Sequence, residues 1–415
     1  MVEESIPELV ERQKSTHTLE QPFYNDGRIF ALDLEKVLGP QWLYVDHISS
    51  LPNVGDYLLY EFADESIIVV RGNNGEIYAH FNVCRHRGSR VCIEPRGNVK
   101  RLVCPYHAWA YRLDGALDHA RHMPDEFERQ IYGLHSCPVR IFEGLIFINI
   151  GVGDKADFDD IVEHVRPFAE LHGLEHAKVV HREIYPTYAN WKLVVENFRE
   201  CYHCMPAHPE YTMVNKYVRM EERDLDAYNR IVDVWAETQC DSSRPVRYPA
   251  GYHPSRPVGY HRWPENTLQP HSAWRQPIGD GFLSLTKDGK PAAPIMGQFT
   301  EYDGAETGMF FGALSYFYAT NDHATTFRFS PINTKFTIVE VAWLVHKDAV
   351  SEKDYDIDHL KWMWDVTTVQ DTRIINDNQK GVNSSRYVPG PYSSQEQGAA
   401  SFARWYLSRL SAELV

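Results

Sequence analysis

Between Asp56 and Ile150 apolar and polar positions alternate in short runs, "DYLLYEF", "SIIVVR", "EIYAHFNV", "WAYRL" and "GLIFINI", separated by turn signals. A period of two, with Asn74-Gly75 and Asp114-Gly115 as hairpin dipeptides, predicts a small antiparallel β domain. Residues 1–40 have helical character instead, with "DLEKVLG" ending at Gly39 before Pro40. After the acidic, loop-like "GVGDKADFDD" the pattern becomes mixed. It predicts a helix around Trp191 to Cys204, an irregular Pro- and Gly-rich stretch from about 240 to 300, then strands and a long helix from about 355 to 381. The boundary is expected near residue 155, giving an N-terminal helical segment (1–40), a β domain (41–155) and a mixed domain (156–415).

Two helices place reactive side chains. In "NWKLVVENFRECYH", Trp191, Val195, Phe198 and Tyr202 fall on one stripe directed to a core, and Glu196, Glu200 and His203 fall on another. Pro206 is expected to end or kink the helix near Met205, so that His208 swings beside His203. In the last long helix Ile357, Leu360, Trp364, Thr367 or Thr368, Asp371, Ile375 and Asn378 form one stripe. It sets Asp371 on a mostly apolar side, where a carboxylate is costly without a cation or donor.

Composition narrows the function. The 415 residues are 43% hydrophobic and 24% charged, with a net charge of −15 and no basic patch. Nucleic acid is therefore excluded as a partner. "MVEESIPELVERQKST" lacks a basic leader, and "GLIFINIGV" falls far short of the roughly 20 apolar residues that cross a bilayer. A cytoplasmic protein with no membrane partner is expected. Seven cysteines, an odd number, favour thiols or metal ligands over a disulfide framework.

The strongest chemistry is in "NVCRHRGSRVCIEPRGNVKRLVCPYHAWAY". Cys84-x-His86 and Cys104-x-x-His107 are two mixed pairs, suited to tetrahedral zinc or to a [2Fe–2S] cluster with two histidines on one iron. A zinc finger groups its cysteines together and its histidines together, whereas here each pair holds one of each. Cys92 reads as an apolar filler. "ECYHCMPAHPE" is the second cluster. Cys201-x-x-Cys204 sits at a helix end, not between a strand and a helix start, so these two are expected as packing thiols, with a redox pair or a zinc half-site as the lesser readings. His203, His208 and Asp371 complete the 2-His-1-carboxylate set of non-haem Fe(II) oxygenases.

"CRHRG" and "CPYHAWAY" resemble the two boxes of Rieske domains. "NWKLVVENFRECYHCMPAH" and "QDTRIINDNQKGVNSSRYVPGPYS" are similar to the catalytic boxes of Rieske non-haem iron oxygenase α subunits, a resemblance spanning about residues 30 to 410. It implies an α+β chain: an antiparallel β Rieske [2Fe-2S] domain followed by a helix-grip (START/Bet v1-like) catalytic domain. Cys84, His86, Cys104 and His107 would hold the cluster, and His203, His208 and Asp371 a mononuclear Fe(2+). It also implies a homotrimer in which one subunit's cluster feeds its neighbour's iron, with Glu200 as the inter-subunit electron-transfer bridge. Many ring-hydroxylating members have aspartate there; glutamate resembles the subgroup that oxidises glycine betaine, stachydrine, carnitine and choline.

Histidine ligation raises the cluster's potential, which suits it to relay electrons. No Gly-x-Gly-x-x-Gly fingerprint is present, so a separate NAD(P)H-dependent flavin/iron–sulfur reductase is expected, with O2 and a small molecule as substrates. The expected activity is N-demethylation of a quaternary ammonium compound. The alternatives are an aromatic ring-hydroxylating dioxygenase and a non-catalytic Rieske electron carrier. Phe310, Tyr316 and Tyr318 share one strand face, and Phe311 and Phe317 the other; one of these faces would line the cavity above the iron.

Overall fold

The computed structural model describes residues 5–151, 156–215, 218, 224–239, 270–279 and 281–412. The expected boundary at 155, Cys240 and most of the expected irregular stretch lie outside the described residues.

Both hairpin dipeptides turn the chain. Gly75 and Gly115 have φ of +84° and +88°, and Asn74 and Asp114 accept the amides of Glu76 and Ala116 at 3.1 and 3.0 Å. The first turn joins Glu65–Arg71 to Ile77–Phe81, which with Asp56–Phe62 form an antiparallel five-stranded sheet edged by Arg96–Asn98 and Ser136–Cys137; the second joins Ala110–Tyr111 to Leu117–His119. A three-stranded ribbon, Leu102–Val103, Ala110–Tyr111 and Leu117–His119, packs beside the five-stranded sheet.

The second half is built on a six-stranded antiparallel sheet. Across it run Ala177–Thr187, Phe336–His346, His323–Asn333, Ser315–Ala319, Ala305–Phe310 and Ser272–Pro277. The period of two separates its faces. Met309, Phe311 and Phe317 pack with Tyr44, Phe147 and the helix Phe158–His172. Phe310, Tyr316, Tyr318 and Phe327 pack with the helix Trp191–Phe198 and the long helix Ile357–Val382. The long helix gripped by the sheet is the helix-grip arrangement, and together the two halves form an α+β chain.

The stripe of the long helix holds from Leu360 to Ile375 but drifts at its end, where Gln379 is buried and Asn378 is exposed. The helix from Trp191 is shorter than expected. It ends at Phe198, and Tyr202, expected towards the core, is half exposed.

The N-terminal segment closes over the helix Trp191–Phe198 and the final helix Gln397–Ala412. Its anchor is ionic. Lys192 Nζ meets the Asp33 carboxylate and donates to the Phe23 carbonyl at 2.8 Å, with both charged side chains fully buried. Removing one member of such a pair strands the other charge. Lys192→Met should therefore destabilise the chain by about 3–5 kcal/mol, and Lys192→Met/Asp33→Leu should recover most of the loss. Urea unfolding of both variants checks this; equal losses would contradict it.

Candidate active site

The two mixed pairs sit on two loops of matching geometry. The Cys84 carbonyl accepts from the Gly88 amide and the Cys104 carbonyl from the Ala108 amide, both at 3.0 Å. Gly88 and Ala108 both take positive φ, +78° and +57°, which turns each loop back on itself. Cys84 and Cys104 are buried, and the rings of His86 and His107 stand 4.7 Å apart at the rim. His107 Nδ1 is buried without a hydrogen-bond partner. Two buried thiols below two converging imidazoles, one with an orphaned ring nitrogen, fit a compact cluster ligated by two Cys and two His.

The second set converges on Asp371. Asp371 Oδ1 lies 3.0 Å from His208 Nε2 and 3.3 Å from His203 Nε2, and the three ligand atoms lie within 4.8 Å of one another. Each imidazole is fixed through its other nitrogen. His203 Nδ1 meets Glu200 Oε1 at 2.5 Å, and His208 Nδ1 meets Gln370 Oε1 at 2.8 Å. Gln370 Nε2 in turn donates to Glu210 at 2.7 Å. With Nδ1–H donating outward, Nε2 is the atom that each ring turns inward, and a metal bound there would take the place of its proton.

Charge follows the same geometry. Burial opposes ionisation, but the Asp371 and Glu200 carboxylates outweigh it and raise the His203 pKa to about 10. Burial likewise works against the Asp371 carboxylate, and the two histidines outweigh it and hold its pKa at about 2. The meeting point of the three atoms favours positive charge, as binding a dication requires.

Glu200 explains the early helix end. Its carboxylate accepts the amides of Tyr202 and His203, which a continuing helix would have given to main-chain carbonyls. The chain then makes one short turn, Cys204–Ala207, before Pro209 opens a new helix, so Pro206 lies beyond the break that it was expected to cause. The expected packing thiols are corrected as well. The turn brings the Cα atoms of Cys201 and Cys204 to 4.9 Å, and the two are joined in a disulfide. Cys84, Cys92 and Cys104 remain buried thiols.

The set opens on a cavity walled by Phe198, Tyr211, Tyr316, Tyr318 and Trp364. Tyr316 and Tyr318 come from the strand face singled out by alternation, and Phe310 stacks behind Tyr316 at 4.4 Å. Tyr211, Gln370 and Glu210 were missed by sequence reasoning. The first two had a usable signal, since Tyr211 follows His208 by three positions and Gln370 directly precedes Asp371.

Residues 41–139 match the Rieske [2Fe-2S] domain family, and residues 174–412 match the ring hydroxylating alpha subunit (catalytic domain) family. The chain belongs to the Rieske oxygenase α subunits. The glycine betaine monooxygenase oxygenase subunit of Chromohalobacter salexigens is 36% identical over 422 residues, covering 99% of this chain and 90% of that one. The protein of the same description from Pseudomonas aeruginosa is 35% identical over 408 residues, covering 97% and 91%. In fold, the α subunit is similar to a quaternary ammonium Rieske monooxygenase studied for carnitine oxidation and inter-subunit electron transfer. That match has a TM-score of 0.70 at 20% identity and covers 99% of this chain and 100% of the other.

As a member of this family the α subunit is an oxygenase component with a Rieske cluster and a mononuclear iron. His203→Ala should remove the mononuclear iron while leaving the visible spectrum of the cluster intact. Gln370→Ala, which only unlocks the His208 ring, should weaken iron binding roughly 10–100-fold. Iron analysis and chelator competition test both; full retention of iron in His203→Ala would refute the assignment.

Proposed function

We propose that this α subunit catalyses the O2- and reductase-dependent oxidative N-demethylation of a quaternary ammonium compound of the glycine betaine or stachydrine type. In this reading Cys84, His86, Cys104 and His107 hold the cluster, and His203, His208 and Asp371 hold the iron. The observation that carries it is the convergence of two oriented imidazoles and a buried carboxylate on a cavity walled by aromatic rings. The nearly full-length similarity to glycine betaine monooxygenase oxygenase subunits supports the substrate class.

Iron held by such a triad supplies O2 activation, with electrons relayed by the cluster. The chain's own residues supply the rest. Glu200 and Gln370 set the two imidazoles, and the Asp371 charge is balanced within the site. A trimethylammonium group cannot donate a hydrogen bond, so it is recognised by ring faces, each worth about 0.5–2 kcal/mol when well placed. The Thr367 hydroxyl, which also borders the cavity, donates to the Met363 carbonyl and leaves its methyl for the wall.

One oxygen atom of O2 enters a C–H bond of an N-methyl group, and the other leaves as water with two electrons and two protons. The resulting N–CH2OH loses its hydroxyl proton as the C–N bond breaks, nitrogen keeps the electron pair, and formaldehyde departs. The electrons come from a separate NAD(P)H-dependent reductase. In the proposed homotrimer Glu200, which already holds His203, would bridge this iron site to the cluster held by a neighbour's Cys84, His86, Cys104 and His107.

With reductase, NADH and O2, a panel of betaines, carnitine, choline, stachydrine and arenes should give formaldehyde from a quaternary ammonium member. A cis-dihydrodiol from an arene without formaldehyde would overturn the proposal. Glu200→Gln should keep both metals but slow reoxidation of the reduced cluster in stopped-flow mixing with substrate and O2. Reoxidation at the original rate would remove Glu200 from the electron path.

A further inference from the structure

Glu306 is a fully buried carboxylate on the strand Ala305–Phe310 that the chemistry above leaves unused. It shares a strand face with Gly308 and Phe310, which lie opposite Tyr318 and Tyr316 in the antiparallel register. That is the face turned towards the iron-binding residues. Oε1 accepts hydrogen bonds from Gln276 Nε2 at 2.9 Å, Asn215 Nδ2 at 3.0 Å and the Tyr211 hydroxyl at 3.4 Å. Oε2 is buried without a hydrogen-bond partner. The Tyr211 hydroxyl also lies 3.5 Å from that of Tyr318, and both rings pack on Trp364, with centroids 6.0 and 4.3 Å away. These three rings are walls of the cavity.

The carboxylate therefore stands directly behind the aromatic wall, tethered to it through Tyr211. Arg275, the nearest cation on the neighbouring strand, alternates to the opposite face and is matched by Asp303, with contacts of 2.6 and 3.2 Å. Burial pushes the Glu306 carboxyl up to about 7 in spite of its three donors. A buried anion with a spare oxygen is costly unless positive charge is brought near it. The occupant that could bring it without needing a hydrogen-bond acceptor is one whose charge is fixed and shielded by methyl groups.

We propose that Glu306 is a specificity-determining residue, the buried counter-charge that makes the Tyr211–Tyr318–Trp364 wall select a cationic substrate over an uncharged one of the same shape. This rests on the quaternary ammonium reading of the site and adds the residue that enforces it. Glu306 is not a catalytic residue, since it acts across the ring wall.

The test compares dissociation constants for glycine betaine and for 3,3-dimethylbutanoate, in which carbon replaces the quaternary nitrogen, on the iron- and cluster-loaded full chain. The wild type should prefer betaine, and Glu306→Gln should weaken betaine binding by roughly tenfold or more with little change for the carbon analogue. Glu306→Asp, a poorer match in shape that keeps the charge, should retain more of the preference than Glu306→Gln; a purely structural role predicts the reverse order. The cluster spectrum verifies that each variant is folded. An unchanged preference in Glu306→Gln, equal weakening of both ligands, or no preference in the wild type would each overturn the inference. Formaldehyde release from the quaternary ammonium panel is measured separately, so the functional reading stands or falls on its own result.

Discussion

The catalytic half is organised around one buried carboxylate. Asp371 sits on a helix face whose neighbours are Trp364, Thr367, Thr368 and Ile375, so its charge has no solvent to stabilise it. It is sustained by His203 and His208, whose Nε2 atoms lie at 3.3 and 3.0 Å from one of its oxygens. The long helix must be gripped by the sheet at the right height for this contact, and the chain after Phe198 must leave its helix to deliver both histidines. Buried polar groups of this kind are tolerated when their partners are fully provided.

Delivery of the histidines is a contest between main chain and side chain. A helix running from Trp191 through Cys204 would have kept His203 on a regular stripe and sent His208 further along the axis. Glu200 takes two amides for its own carboxylate and stops that helix. The same carboxylate then holds His203 Nδ1, so one residue both breaks the helix and orients the imidazole. A glutamine would keep the hydrogen-bonding shape but not the charge that helps hold His203's pKa at about 10.

Much of this was visible in the sequence, for reasons that differ by element. The β domain was readable because a period of two and Asn-Gly or Asp-Gly turns are local signals, and the two Cys/His boxes because the spacing of ligands is fixed by the group proposed for them. The stripe placing Asp371 was readable from Leu360 to Ile375, since the buried face of a long helix keeps its period. The helix end at Phe198 was not, because it depends on a carboxylate reaching forward to two amides, a choice that propensity does not encode. The Cys201–Cys204 bridge followed from that same unforeseen turn. Alternation separated Tyr316 and Tyr318 from Phe317, but only the packed sheet shows that their side faces His203, His208 and Asp371. Glu306 and Tyr211 come together across 95 positions of sequence, beyond the reach of any local pattern.

The account stands on two distinct iron centres in one chain, and a crystallographic anomalous-difference map at the iron absorption edge tests that most directly. It should show one peak between the Cys84–His86 and Cys104–His107 loops and a second among His203 Nε2, His208 Nε2 and Asp371. A peak at the loops alone, in protein prepared with excess ferrous iron, would contradict the account and leave the chain an electron carrier.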